Sequence, residues 1–166
     1  IMKEKIFIDL DGVLANFELG VHNLGFNLAK IMSSNDNKKK GFLWATIRKN
    51  PHFWYELELL EDALHLWDYF KSKDSYILTG IPATFGKEDF EKVKQSKINW
   101  VKKHLQLSEE KIICCVTSKK PSFIVPNHNN ILIDDTTKNI SNWLNAGGTG
   151  IIHKSAEKTI KEYNLL

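Results

Sequence analysis

The stretch Ile6-Phe7-Ile8-Asp9-Leu10-Asp11-Gly12-Val13-Leu14 joins a short apolar run to two carboxylates and a glycine. The residues before Asp9 are apolar and rich in β-forming types, which predicts a buried strand that ends at the first carboxylate. Gly12 allows the chain to turn sharply after Asp11. Binding crevices of open α/β sheets lie beyond the carboxyl ends of the strands. The pattern therefore predicts a polar binding site at this turn.

Further apolar runs of the same kind recur along the chain, with helical patterns between them. The five predicted strands cover residues 5–9, 75–79, 111–116, 130–134 and 149–153. Alternation of strands and helices is typical of an α/β fold with a parallel sheet flanked by helices. The connection between the first two strands is far longer than one crossover helix requires. We therefore predict a catalytic core of residues 1–15 and 75–166, with a helical cap of residues 16–74 inserted after the first strand.

The periodicity of apolar residues predicts the helices of this insert. One helix is expected over residues 17–31 and a second over residues 42–48, separated by a polar loop. A break at Asn50-Pro51 precedes a helix that begins near Leu60 and leads back to the core. A last helix from about Ala156 closes the chain.

Composition limits the functional classes. With 42% hydrophobic and 26% charged residues, the chain has the composition of a soluble globular protein. A net charge of +3 is too small to favour nucleic acid as the main partner. No apolar stretch approaches the roughly 20 residues that span a bilayer, and we do not expect Met2–Lys5 to belong to a signal peptide. The two cysteines, Cys114 and Cys115, are neighbours that a strand would point to opposite faces, so we expect a reducing, cytoplasmic location.

The fourth predicted strand ends in paired acids, as the first does. Asp134 and Asp135 follow its apolar run, at the same edge of the sheet as the first pair. If the first and fourth strands are neighbours, Asp9, Asp11 and Asp134 can converge on one cation. Clustered carboxylates repel one another unless a cation compensates, and magnesium prefers such oxygen ligands. The alternative is a surface turn with solvated aspartates.

A phosphate group beside these acids would need further partners. Thr79 and Gly80 end the second strand and offer a hydroxyl and a backbone amide, although Thr-Gly is more often only a turn. Lys97 lies within the apolar face of a helix predicted over residues 90–105 and is the best candidate for a phosphate-binding cation. Lys94 is the second choice. A lysine whose stem packs on the core while its amine reaches water is the competing interpretation for both.

These pieces, in this order, resemble the motifs of the haloacid dehalogenase (HAD) superfamily. The four matching pieces are Asp9–Val13, Thr79-Gly80, Lys97 and Asp134-Asp135. Three segments are also similar to 5'(3')-deoxyribonucleotidases: residues 11–17, 53–58 and 97–101. That family carries a helical cap between the first two motifs.

The chain departs from the deoxyribonucleotidases in two places. A Thr-Ser-Pro motif is usual there, whereas Thr79 is followed here by Gly80. An arginine often follows the third strand in that family, whereas this chain has Thr117-Ser118-Lys119-Lys120. Both departures concern the substrate more than the reaction.

The resemblance and the chemistry of the residues imply a hydrolase, a magnesium-dependent phosphatase. Asp9 would attack phosphorus and form an aspartyl phosphate, which water then hydrolyses. Asp11 would act as general acid and then as general base. Magnesium would be held by Asp9, the Asp11 carbonyl and Asp134, with Asp135 orienting water further out. Three residues would bind the phosphoryl oxygens: Thr79, Gly80 and Lys97.

Aromatic residues of the insert suggest the substrate. Ten of the 18 aromatic residues fall between Phe17 and Phe70, more than so small a lobe needs for its own core. The predicted pocket that would stack a base consists of Phe17, Phe42, Trp44, Phe53 and Trp54. A nucleoside monophosphate, with deoxyribose as the favoured sugar, is the expected substrate. The alternative is that these rings only hold the cap together.

Other functions remain open. A phosphatase of the same fold acting on sugar phosphates or nucleic acid ends is the second choice. Two other classes rank lower. A phosphoaccepting signalling domain has no long insert after the first strand. A catalytically idle binding protein would not need both Asp9 and Asp11. We expect no stable nucleic acid partner and no membrane association, and the oligomeric state is left open, with a homodimer as one option.

Overall fold

The computed structural model describes all 166 residues, and its centre is a five-stranded parallel sheet of order β3-β2-β1-β4-β5. The strands are β1 (Lys3–Ile8), β2 (Ser75–Ile81), β3 (Ile112–Val116), β4 (His128–Asp134) and β5 (Thr149–Ile152). This architecture confirms the predicted α/β class and the number of strands. It also makes β1 and β4 direct neighbours, with Ile8 opposite Ile133.

Seven helices connect or flank the strands. They are α1 (Phe17–Asn23), α2 (Leu28–Ser33), α3 (Asn37–Arg48), α4 (Ala63–Phe70), α5 (Gly86–Leu105), α6 (Thr137–Asn145) and α7 (Ala156–Asn164). A 3₁₀ segment, Thr117–Phe123, follows β3 directly. None of the helices is both long enough and apolar enough to cross a membrane.

The central strand β1 is buried on both faces of the sheet. Ile6 and Ile8 point to the face that carries α4, α5 and α7, where they join the larger apolar core. Phe7 points to the opposite face and packs edge-on against Trp143 of α6, with 5.2 Å between the ring centroids. Burial of both faces explains why the strands are nearly continuous apolar runs.

The segment between β1 and β2 leaves the core and returns to it at one place. Ala15 and Leu59 form an antiparallel bridge, and the Asn16 amide donates to the Glu58 carbonyl at 2.7 Å. Beyond this point the Leu60 amide donates to the Leu14 carbonyl at 2.9 Å. We call residues 16–58 the helical insert.

Helix α4 falls within the cap range of residues 16–74 predicted from the sequence, but its contacts are with the core. This helix packs against α7, where the Phe70 and Tyr163 rings lie edge to face with centroids 5.1 Å apart. The Asp62 carboxylate, just before α4, accepts a 2.7 Å hydrogen bond from the Ala156 amide at the start of α7. The helix α4 therefore belongs to the layer that covers the sheet.

Two further predictions about the insert were wrong in detail. The single helix predicted over residues 17–31 is two helices, because Gly25 adopts a positive φ of 91° and turns the chain between them. The second predicted helix starts earlier, at Asn37, where the Asp36 side chain accepts hydrogen bonds from the Lys38 and Lys39 amides. This side-chain cap satisfies amides at the helix start, so part of the expected polar loop is helical.

Candidate active site

Carboxylates from the two neighbouring strands β1 and β4 meet at the carboxyl edge of the sheet. Asp9 follows β1 directly and is 6% exposed, and Asp134 ends β4 and is fully buried. One oxygen from each of Asp9, Asp134 and Asp135 lies within 4.8 Å of the others, so these three residues could hold a metal ion. The sequence reasoning had placed Asp135 farther from the ion, whereas the structure brings it into the cluster.

The Asp134 carboxylate is held in place from several sides. The Thr136 amide donates to its Oδ1 at 2.9 Å, and the Asn139 side chain donates to its Oδ2 at 3.1 Å. Both donors come from the start of α6 and the turn before it. The orientation of this candidate ligand is therefore set by the residues around it.

Lys120 is the principal residue that sequence reasoning missed. Its amine lies 3.0 Å from Asp9 Oδ1 and 2.7 Å from Asp134 Oδ2, and its side chain is 2% exposed. The 3₁₀ segment after β3 turns this lysine inward, while its neighbour Lys119 stays exposed. Its position just beyond the end of a third parallel strand was the available signal, since such ends meet at one edge of the sheet.

Burial and charge shift the pKa values of this cluster. Burial raises the pKa of Asp9 well above its ordinary value; Lys120 opposes this effect, and the neighbouring carboxylates add to it. Burial alone would lower the pKa of Lys120, but Asp9 and Asp134 outweigh it and raise that pKa above its ordinary value. Burial, together with the charge of Asp134, raises the pKa of Asp135 to about 6. The carboxylates of the cluster therefore repel one another, and Lys120 compensates only part of their negative charge.

Lys97 occupies a different part of the site. Its amine donates to Asp11 Oδ2 at 2.7 Å and to Thr79 Oγ1 at 2.9 Å, and the residue is 2% exposed. The sequence placed Lys97 and Thr79 on the phosphate. In the structure the Lys97 amine donates to both Thr79 and Asp11, while the amine that reaches the candidate nucleophile is that of Lys120.

Two glycines are required by close approaches. Gly12 has a positive φ of 84°, and a Cβ at this position would overlap the Asp135 carboxylate. A Cβ at Gly80 would overlap the Thr117 hydroxyl. Gly80 and Thr117 both line the site cavity. The Thr117 hydroxyl, from the segment after β3, therefore occupies the space that a side chain at position 80 would fill.

A cavity of about 410 Å³ lies between this acidic turn and the helical insert. Asp9, Asp11 and Lys120 line it from the core. Five of the lining residues are hydrophobic: Phe17, Leu28, Trp44, Trp54 and Leu60. The cavity therefore joins a charged floor to an apolar wall.

Three of the five aromatic residues predicted for the pocket reach this cavity, and two do not. Phe42 is 66% exposed and packs against Phe26 at 5.6 Å, because it lies two residues from Trp44 on α3 and so on nearly the opposite side of the helix. Phe53 is buried and packs edge-on against Phe17, with centroids 5.8 Å apart.

The rings that do reach the cavity also contact each other. Phe17 stacks on Trp54 at 5.7 Å with an angle of 18°, and on Trp44 at 6.0 Å with an angle of 30°. Part of their surface therefore holds the insert together, as the alternative interpretation expected. The remaining surface faces the cavity.

No family model and no curated protein matches this chain by sequence. Solved structures do match. YfnB of Bacillus subtilis, a candidate HAD-hydrolase solved with magnesium, is 12% identical, with 99% of this chain and 100% of that one covered and a TM-score of 0.58. A HAD family enzyme from Bacteroides thetaiotaomicron is 14% identical, with 98% and 99% covered and a TM-score of 0.51. A variant of the Bacteroides enzyme in complex with magnesium and inorganic phosphate is 14% identical, with 93% and 95% covered and a TM-score of 0.50. At these identities the likeness concerns the fold, and this chain has the fold of the HAD enzymes.

Proposed function

We propose that this protein is a magnesium-dependent phosphomonoesterase that acts through an aspartyl phosphate on Asp9. The observation that carries the proposal is the setting of Asp9 itself. It is a buried carboxylate at a strand end, paired with Lys120, within a cluster that could hold a metal ion and at the floor of a cavity. The HAD structures solved with magnesium and phosphate support the same chemistry.

The charges of the site support a divalent cation. Four carboxylates lie here, those of Asp9, Asp11, Asp134 and Asp135, against the two buried ammonium groups of Lys97 and Lys120. With all four carboxylates ionised, before an ester binds, two negative charges are left, which one divalent cation would neutralise. Oxygen ligands at strand ends suit magnesium, which would hold a phosphate in line with the nucleophile and reduce its repulsion by Asp9.

The residues suggest a two-step reaction. In the first step an oxygen of Asp9 bonds to phosphorus and the bond from phosphorus to the ester oxygen breaks. Asp11 enters this step in its protonated form and gives its proton to the departing oxygen, so an alcohol leaves. In the second step water attacks phosphorus, its proton passes to Asp11, and the bond to Asp9 breaks. Lys120 would bind the phosphoryl group beside Asp9, with Thr117 as a further donor, because both line the cavity.

A nucleoside monophosphate is the substrate that we propose, with deoxyribose as the favoured sugar. A cavity of about 410 Å³ suits a small molecule. Its apolar wall could contact a planar base, and such stacking is worth about 1–3 kcal/mol. The similarity of the segments around Phe17 and Trp54 to the deoxyribonucleotidases favours the same substrate.

The test is to measure release of inorganic phosphate from four classes of ester with and without magnesium. These are deoxyribonucleoside monophosphates, ribonucleotides, sugar phosphates and 3'-phosphorylated oligonucleotides. Trp44→Ala should raise KM for the nucleotides about 5- to 150-fold, the equivalent of one lost stacking contact. Phe42→Ala is the matched control, because this ring leaves the same helix on the other side and should not affect KM.

The outcomes separate the reaction from the substrate. No phosphate release from any ester would contradict the phosphatase. A preference for sugar phosphates that Trp44→Ala leaves unchanged would contradict the nucleotide and favour the second choice made from sequence.

A further inference from the structure

We propose that Lys97 is a positioning residue for Asp11 and that Trp54 of the helical insert holds Lys97 in place. The proposal rests on the proposed function, since it assigns Lys97 a part in the proton transfer of Asp11. It also replaces the role expected from sequence, in which Lys97 binds phosphate directly.

The contacts of the Lys97 amine leave it little capacity for a substrate. An ammonium group has three hydrogen atoms to donate. Asp11 and Thr79 accept two of them at 2.7 and 2.9 Å. The Trp54 ring covers the amine, with its centroid 4.3 Å away, a favourable cation–π geometry. Asp11 and Trp54 line the cavity, and Lys97 does not.

Asp11 depends on this lysine for its orientation. Lys97 provides the one hydrogen bond that the Asp11 carboxylate accepts from another residue, and the Asp11 side chain is 24% exposed. Asp134, by contrast, accepts three hydrogen bonds, from Lys120, Thr136 and Asn139. A general acid must point at the departing oxygen, and a small misplacement is costly. Without Lys97 the Asp11 side chain would therefore no longer be held in one orientation, whereas Asp134 in the metal cluster would keep its three hydrogen bonds.

The insert fixes Lys97 through a second anchor on the same helix. Trp100 lies three residues after Lys97 on α5, hence on the same side of the helix. Its indole donates to the Leu57 carbonyl at 2.8 Å, which fastens the end of the insert to α5. Trp54, three residues before Leu57, stacks on Phe17 and lies over the amine. A chain of contacts thus runs from the cavity wall through Lys97 to Asp11.

The test compares two esters of similar size that differ in their need for a proton, p-nitrophenyl phosphate and benzyl phosphate. The benzyl ester has the poorer leaving group and needs a general acid more. Lys97→Met should lower kcat on the benzyl ester by at least about tenfold more than on the nitrophenyl ester, as Asp11→Asn should. In the double variant the two losses should not add, because both substitutions remove the same function. Trp54→Leu should show the same ester dependence to a smaller degree, and Lys94→Met, one turn away on α5, should show none.

Each other result overturns the proposal in its own way. If Lys97→Met lowers kcat equally on the two esters and raises KM, and if its effect adds to that of Asp11→Asn, then Lys97 binds phosphate directly. Circular dichroism checks the fold of each variant, and if Lys97→Met does not fold, Lys97→Gln and Trp54→Leu decide by the same comparison. If the parent protein releases phosphate neither from these two esters nor from any of the four classes tested for the proposed function, the phosphatase fails and this proposal with it. If the parent is active and only the ester dependence is absent, the positioning role alone fails.

Discussion

Replacing Lys120 with methionine is the sharpest test of the acidic cluster. The amine is 3.0 Å from Asp9 Oδ1 and 2.7 Å from Asp134 Oδ2, and all three side chains are buried. Methionine keeps much of the length of the side chain but removes its charge. The two carboxylates then face each other without their shared cation.

The cost follows from the burial of both partners. Removing one member of a buried ion pair costs about 3–5 kcal/mol, because the remaining charge is left uncompensated. For a chain of this length each kcal/mol lowers Tm by about 2–4 °C, so we expect a decrease of about 6–20 °C without added metal. A divalent cation would relieve the same excess of negative charge. Magnesium should therefore raise the Tm of Lys120→Met more than that of the parent protein.

The assay is thermal unfolding with and without magnesium, followed by phosphate release. Loss of a donor beside the reacting group should lower kcat/KM about 100-fold or more. Lys119→Met is the matched control, because its side chain is exposed and it should change neither quantity. A Lys120→Met protein with the parent's Tm and the parent's response to magnesium would refute our account of the charge balance.

Three further predictions follow from the site and the core. Chelation of magnesium should abolish phosphate release, and turnover near the parent's after chelation would contradict the metal requirement. Asp9→Asn should also abolish it in a protein that still unfolds cooperatively, and turnover near the parent's in this variant would move the nucleophile elsewhere. Gly12→Ala should lower activity because its Cβ meets the Asp135 carboxylate, whereas Gly25→Ala, at an equally positive φ but with open space around it, should lower Tm and keep activity. Burial lowers the pKa of His153, so its contribution to stability is complete above the ordinary pKa of about 6.5 and is lost as the pH falls below it. The Tm of the parent should therefore fall more between about pH 7.5 and pH 5 than that of His153→Gln, and equal decreases would exclude this role.

The fold could be predicted because the signals were local. Each strand is a short apolar run that ends in polar residues, and burial on both faces makes such runs easy to recognise. The end of the insert could not be predicted in the same way. The apolar face of α4, which includes Trp67 and Phe70, shows that the helix packs on something, but periodicity does not say on what. The bridge between Ala15 and Leu59 joins residues far apart in sequence and has no local signature.

The candidate site was only partly predictable for a related reason. Asp9, Asp11 and Asp134 carry a pattern, because each lies at or just after the end of an apolar run that the sequence marks as a strand. Lys120 carries only the signal of its position after β3, since it lies in a 3₁₀ segment without helical periodicity, next to an exposed lysine. Gly80 stands where the deoxyribonucleotidases usually have a serine, and only the three-dimensional structure shows the Thr117 hydroxyl in the space of that side chain.

The two buried lysines reach the turn after β1 from opposite faces of the sheet. Lys97 comes from α5, on the face of Ile6 and Ile8, whereas Lys120 comes from a segment on the face of Phe7. Each amine binds a different carboxylate of the turn, Asp11 in the first case and Asp9 in the second. Asp9 is buried and Asp11 is half-buried, so removing either carboxylate from water without its cation would be costly. Two lysines are therefore needed to balance the charge of this turn, because the sheet separates them and each one reaches a different carboxylate.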